Sequence, residues 1–171
     1  MGGFTHAGCL HANSKDGPLY KVGSADLTSS YPFAMVAQYY PMSKGDYIGH
    51  VDDPKLFAYY LGKYCCLFDI EFENLRPAQE YENPLSLSRC ITAGKVITNN
   101  GRIVSAQRAR TTLTELDYDT VTKFYTWDSC KVMNMRIYQR GYLPKALILA
   151  ILKLYEDKTS LKGVLGKEVE Y

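Results

Sequence analysis

The chain has 171 residues, enough for one ordinary domain and not comfortably two, and its 46% hydrophobic and 22% charged residues exclude a disordered polypeptide. The longest apolar stretch, Leu143 to Leu154, contains Lys145 and Lys153 and falls short of the roughly 18 uninterrupted apolar residues of a membrane span. A net charge of +2 is too small to mark a nucleic-acid binder on its own.

That average conceals an asymmetry. Residues 1–89 carry 7 Lys/Arg against 10 Asp/Glu, a net of −3, whereas residues 90–171 carry 13 against 8, a net of +5. The basic second half admits a polyanionic partner without requiring one. Fifteen tyrosines against one tryptophan put a hydroxyl on most of the aromatic surface. Met1 to His6 lacks the basic-then-apolar pattern of a secretory leader. The five cysteines are an odd number, and adjacent Cys65 and Cys66 on one strand would face opposite ways, as reduced buried thiols rather than a disulfide framework.

In chain order, Gly2 to Phe4 and Asn13 to Pro18 read as loop, and Tyr20 to Asp26 as a strand. Ser29-Ser30 supplies a helix cap, Pro32 fits the first turn, and Phe33 to Tyr39 is helical until Pro41. A polar loop is predicted to Asp52, then a helix from Asp53-Pro54 to Gly62, a strand over Tyr64 to Glu73 and a loop over Arg76 to Arg89. Lys95 to Thr98 and Arg102 to Ala106 flank Asn99-Asn100-Gly101, a hairpin signal. Thr114 with Asp117 forms a capping-box variant opening a helix with Tyr118, Val121 and Tyr125 on one face. Ser129 to Tyr138 reads as a strand, and Pro144 to Glu156 as a helix apolar round most of its circumference and therefore buried. Lys158 to Gly163 reads as a break, and Lys167 to Tyr171 as the start of a further helix.

The segment Asp26-Leu27-Thr28-Ser29-Ser30-Tyr31-Pro32 carries the most chemistry. An aspartate ending a strand offers a hard oxygen to Mg²⁺, with the Leu27 carbonyl beside it. The free N–H groups and dipole of the helix that follows favour a phosphate. An aspartate before a helix is more commonly a plain cap, so the local physics alone favours the structural role.

The whole heptad resembles Asp-x-x-Ser-x-Tyr-Pro, the first polymerase motif of family B DNA polymerases, with Ser30 standing where leucine is usual. Gly2-Gly3-Phe4-Thr5 is similar to the Tyr-x-Gly-Gly-Phe-Thr segment of the protein-primed branch found in bacteriophages and linear plasmids, without its leading tyrosine. Lys158-Thr159-Ser160-Leu161-Lys162-Gly163 resembles the Lys-Thr-Thr-x-x-Gly segment that precedes that branch's second motif. The long spacing between them is similar to its terminal-protein-binding insertion, so the resemblance spans essentially the whole chain.

The resemblance implies an α+β fold: a palm segment over residues 1–40, an insertion over residues 41–142, and a helix over residues 143–171 returning to the palm or fingers. It implies that Asp26 and the Leu27 carbonyl hold catalytic Mg²⁺ or Mn²⁺, and that Ser29 with the Ser30 and Tyr31 amides holds the triphosphate of a dNTP. Tyr31 would exclude a ribose 2′-hydroxyl, Lys158 would neutralise triphosphate charge, and Gly2 and Gly3 would lie near the template. DNA template-primer and a terminal priming protein are the implied partners, with no membrane involved, in the bacterial cytoplasm of a phage, prophage or plasmid host. The motif Lys-x₃-Asn-Ser-x-Tyr-Gly is expected shortly beyond Tyr171 and the second catalytic aspartate further on, so the 171 residues alone are expected to be inactive. The rival reading is a stand-alone module that binds terminal protein or DNA and catalyses nothing.

Other clusters are weaker. His6, Cys9 and His11 offer three zinc ligands without a fourth. His50 sits beside Asp52 and Asp53 with no nucleophile to activate. Asp69, Glu71 and Glu73 alternate as a solvated strand face or edge does. Arg102, Arg108 and Arg110 form the densest basic segment, with Arg108 and Arg110 on one strand face; contact with DNA phosphates or an acidic surface of the priming protein accounts for them about as well as ordinary surface charge does. Tyr39-Tyr40 and Tyr59-Tyr60 read as core-edge residues rather than base-stacking platforms.

Overall fold

The computed structural model describes residues 30–79 and 83–161. Its elements are α1 (Ser30–Ala37), β1 (Tyr40–Pro41), β2 (Asp46–Val51), α2 (Pro54–Lys63) and β3 (Cys65–Pro77). A short 3₁₀ turn (Leu87–Arg89) leads to β4 (Ile91–Asn99), β5 (Arg102–Thr114) and α3 (Glu115–Phe124). Then come β6 (Tyr125–Thr126), β7 (Ser129–Tyr138), β8 (Arg140–Gly141) and α4 (Lys145–Leu161). The predicted Tyr20–Asp26 strand, the Lys167–Tyr171 helix and the His6, Cys9, His11 cluster lie outside the described residues.

The fold is α+β, and the chain divides into two compact units. One is the sheet unit, whose described residues run from Gly45 to Tyr138; the other is a helical unit containing residues 30–44 and 139–161. In the helical unit, β1 pairs antiparallel with β8, Tyr40 opposite Gly141 and Pro41 opposite Arg140. The chain leaves this unit after β1 and re-enters it just before β8, so the sheet unit is an excursion between the two strands of one ribbon. Helix α1 packs against α4, the Tyr40 hydroxyl donates to the Ala34 carbonyl at 3.1 Å, and the rings of Tyr39 and Tyr142 stack with centroids 4.6 Å apart.

The sheet unit is an antiparallel sheet of order β2-β7-β3-β5-β4, with β6 added to the end of β3. Central β3 turns Cys66, Phe68, Ile70 and Phe72 inward and Leu67, Asp69, Glu71 and Glu73 outward. Helix α2 starts where Asp53 accepts a hydrogen bond from the Lys55 amide at 2.9 Å with Pro54 in the first turn. The full capping box of Thr114 and Asp117 starts α3. Phe57 on α2 meets Phe68 edge-on at 5.1 Å, and Tyr118 on α3 lies against both Phe57 and Phe68. Trp127 continues this aromatic layer onto Phe72 at 4.7 Å. Each fully buried Phe here contributes about 1.5–3 kcal/mol of transfer free energy. Cys65 and Cys66 are both buried thiols.

Two lines of backbone irregularity cross the sheet. On β3 and β4, Asn74 (φ 53°) and Gly94 (φ 75°) adopt left-handed conformations where β5 passes through Gln107. There the inward positions step by three, from Phe72 to Leu75 and from Ala109 to Ala106, which carries the core past the bend. The second line runs through Gly49 (φ 85°) on β2 and Asn134 (φ 52°) on β7, where Val132 and Met135 are successive inward residues.

Several sequence expectations are corrected. Helix α1 ends at Ala37 rather than Tyr39, with β1 following at Tyr40–Pro41, and the predicted loop before Asp52 contains β2. Strand β3 continues through Arg76 to Pro77, and the hairpin strands extend to Ile91 and Thr114 around a two-residue turn with Asn100 and Gly101 at φ 48° and 72°. Helix α4 runs through Lys158 to Leu161 where a break was predicted. No residue of α4 is buried, because its apolar circumference exceeds what the described part of the helical unit covers.

Candidate functional site

The proposed nucleotide-binding residues fall in the helical unit as far as they are described. Ser30 is the first residue of α1, exposed, in the turn whose amides lack intrahelical acceptors. Tyr31, which follows, is 78% exposed. Lys158 is exposed in the last turn of α4, where its charge also favours the helix dipole. Asp26, Leu27, Ser29, Gly2 and Gly3 lie outside the described residues. Among the described residues no group of three His, Cys, Asp or Glu side chains is arranged to hold a metal ion.

The three arginines lie in the sheet unit, and their surroundings differ. Arg102 Nη1 donates to the Pro84 carbonyl at 3.1 Å, tying the preceding loop to the start of β5. Arg108 and Arg110 share the outer face of β5, opposite the acidic ladder of β3. Arg110 Nη2 donates to Asp69 Oδ2 at 2.8 Å. Arg108 stands 3.9 Å from Glu71 and 3.8 Å from Glu73, looser than a direct hydrogen bond, with its side chain 54% exposed. The acidic alternation therefore occupies the face of a central strand, not an edge, and its partners are arginines two positions apart on the neighbouring strand.

Asp69 is the most densely bonded of these carboxylates. Its Oδ1 accepts from Thr112 Oγ1 at 2.6 Å, and its Oδ2 accepts from Asn134 Nδ2 at 2.9 Å as well as from Arg110. The Thr112 hydroxyl first, then Asn134 and Arg110, hold the Asp69 carboxyl below the usual aspartate range against the opposing effect of burial. Tyr47 Oη donates to Asn134 Oδ1 at 3.2 Å, and the Arg136 guanidinium lies 5.2 Å from the Tyr47 ring centroid. The network thus links four strands, from β5 to β2. Asn134 owes its place in it to its left-handed backbone, a conformation asparagine tolerates.

At the other line of irregularity, Glu73, Asn74, Ala93, Gly94, Gln107 and Arg108 line a polar cleft of about 380 Å³. Asn74 Nδ2 donates to Asp128 Oδ2 at 2.8 Å, and Arg76 pairs with the same carboxylate. Those two partners, Asn74 first, lower the Asp128 pKa. Ser129 Oγ donates to Glu73 at 2.9 Å. A separate exposed cluster closes α2, where Lys63 Nζ donates to Tyr59 Oη at 2.9 Å and lies over the Tyr59 and Tyr64 rings. Tyr60 packs at the core margin, whereas Tyr59 is half exposed. His50 pairs with Asp52 at 2.8 Å on the surface.

Sequence reasoning named the acidic and basic alternations separately and missed their pairing. The matched two-residue spacing of Asp69, Glu71 and Glu73 with Arg108 and Arg110 was the signal for it. Nothing local in the sequence pointed to Asn134, Tyr47 or the cleft. Comparison with protein-family models, with curated proteins and with solved structures gives no match. Among the described residues no helix is long and apolar enough to cross a membrane.

Proposed function

We propose that this chain is part of a DNA-directed DNA polymerase of the protein-primed family B type. The observation that carries the reading is the heptad Asp26 to Pro32, whose last three residues, Ser30, Tyr31 and Pro32, open helix α1, where free amides favour a phosphate. Further support comes from the chain order, in which residues 30–44 and 139–161 of the helical unit bracket the sheet unit as palm segments would bracket an insertion. Under this reading a bound Mg²⁺ or Mn²⁺ pair supplies activation of the primer hydroxyl and charge neutralisation at the leaving pyrophosphate. Asp26 and the Leu27 carbonyl are its ligands in this chain. Ser29 and the Ser30 and Tyr31 amides orient the triphosphate, the Tyr31 ring excludes a 2′-hydroxyl, and Lys158 offsets phosphate charge. Gly2, Gly3, Arg102, Arg108 and Arg110 contribute to DNA or terminal-protein contacts, Arg108 being the most available of the arginines.

The alternative is a stand-alone module that binds terminal protein or DNA without catalysis, favoured by the open charged face of the sheet. The reading frame of the source gene beyond the codon for Tyr171 separates the two. The polymerase reading expects Lys-x₃-Asn-Ser-x-Tyr-Gly in frame shortly downstream. A stop codon directly after Tyr171 would overturn it in favour of the module.

A further inference from the structure

Among the described residues β4 ends the sheet, paired with β5 on one side only. The outer side of such a strand presents a row of main-chain N–H and C=O groups, alternate residues pointing away from the sheet. Ile91 and Ile97 are 74% and 49% exposed, and both lie on the outer face, opposite Arg110 and Ser105 of β5. Ala93 and Lys95 between them are also exposed. Thr92 and Val96 are turned towards the core, opposite buried Ala109 and Ala106.

Charge narrows what can pair here. The hairpin Ile91 to Thr114 contains Lys95, Arg102, Arg108 and Arg110 and no acidic residue. Arg108 lines the Gly94 cleft and is held only loosely by Glu71 and Glu73, and exposed Lys95 follows Gly94 along β4. A second copy of the chain is disfavoured, because Lys95 is the midpoint of β4 and a two-fold antiparallel pairing centred there would set Lys95 against its own counterpart. A nucleic acid satisfies the cations but leaves the strand's amides and carbonyls without main-chain partners and gives the two isoleucines nothing apolar. An extended polypeptide with alternating acidic and apolar residues satisfies all three features.

We infer that β4 is a docking edge for an extended acidic segment of a protein partner, added as a further antiparallel strand with its carboxylates on Lys95 and Arg108 and its apolar side chains on Ile91 and Ile97. This inference does not rest on the polymerase reading. The irregularity at Gly94 and the charge of Lys95 guard the edge against non-specific pairing and leave it selective for complementary charge.

Residue-resolved amide hydrogen exchange on the full chain tests it, with a capped octapeptide alternating glutamate and valine as the probe. Alternate amides between Ile91 and Asn99 should exchange quickly in the free chain and slow by at least about tenfold with saturating peptide. A peptide with lysine for glutamate should give no slowing, and Lys95→Glu should reverse the preference between the two peptides, which also verifies that the variant is folded. The inference is overturned if neither peptide slows these amides or if both do so equally. It is equally overturned if single-stranded oligodeoxythymidine protects them where the acidic peptide does not, or if they are all already slow in the free chain.

Discussion

Asp69 and Arg110 meet at 2.8 Å across β3 and β5, and the same carboxylate oxygen also receives Asn134 from β7. One side chain thus joins three neighbouring strands on the solvent face of the sheet, and through Asn134 it reaches Tyr47 on the edge strand β2. Asp69→Asn should lower stability by about 1–3 kcal/mol, since it weakens charge-assisted bonds on a carboxylate only 21% exposed. The folded pKa is depressed, so this contribution is present above the unfolded value of about 3.9 and is lost as pH falls through the lower folded value. Urea melts of the wild type should weaken over that acid window, and Asp69→Asn should flatten that part of the profile.

Tyr125 carries its ring into the core and donates its hydroxyl to the Ile103 carbonyl at 2.6 Å. Burial, the largest cause, pushes this phenol up to about 12. Because the folded pKa is raised, the linked stability is intact below the unfolded value near 10 and is lost as pH rises through the folded value. Tyr125→Phe should cost about 1–3 kcal/mol by leaving a buried carbonyl without its donor. In a spectrophotometric titration it should remove one phenol from the late-ionising group.

The hairpin and α3 were legible because their signals are local. Asn100-Gly101 names a turn needing left-handed backbone at both residues, and Thr114 with Asp117 names a helix start. The limits of three strands were not legible, for one physical reason. Inward–outward alternation is lost along the line through Asn74, Gln107 and Gly94, and readings based on alternation stopped at Glu73, stopped at Ala106 and began at Lys95. Strand β2 was missed because Gly49 breaks its alternation in the same manner. The apolar circumference of α4 was read correctly but its burial was not, since burial depends on what lies opposite. Of the candidate nucleotide site, Ser30 and Tyr31 stand at a helix start as their spacing implied, while the pairing of Arg110 with Asp69 depends on strand register that no local pattern specifies.

The arginines should separate on mutation. Arg108→Ala, with its guanidinium loosely held, should leave stability within about 0.5 kcal/mol of the wild type. If it contacts phosphate, it should also reduce the slope of log K against log salt for DNA binding by about one. Arg110→Ala should mainly destabilise the fold, by about 1–2 kcal/mol, through the loss of the Asp69 bond. Fluorescence anisotropy across a salt series, beside thermal melts, reads both effects; equal melts for the two variants would contradict the assignment.

Helix α4 exposes Leu147, Leu149, Leu152 and Leu154 around its circumference. The isolated chain should therefore self-associate with rising concentration and bind a hydrophobic dye. Leu149→Glu with Leu154→Glu should reduce both without altering the sheet unit, as read by sedimentation velocity and by unchanged exchange protection in β3 and β5. Unaltered association in that double variant would place the sticky surface elsewhere.

Under the proposed function Asp26 supplies a catalytic metal ligand in a templated polymerase. The direct measurement is incorporation of labelled dNTP on primed template, with Mg²⁺ or Mn²⁺, by the product of the complete open reading frame that encodes these residues. Incorporation should depend on the template and fall by about a thousandfold or more in Asp26→Ala while the melting temperature is retained. Absence of incorporation by the wild-type product, or substantial incorporation by folded Asp26→Ala, would contradict it.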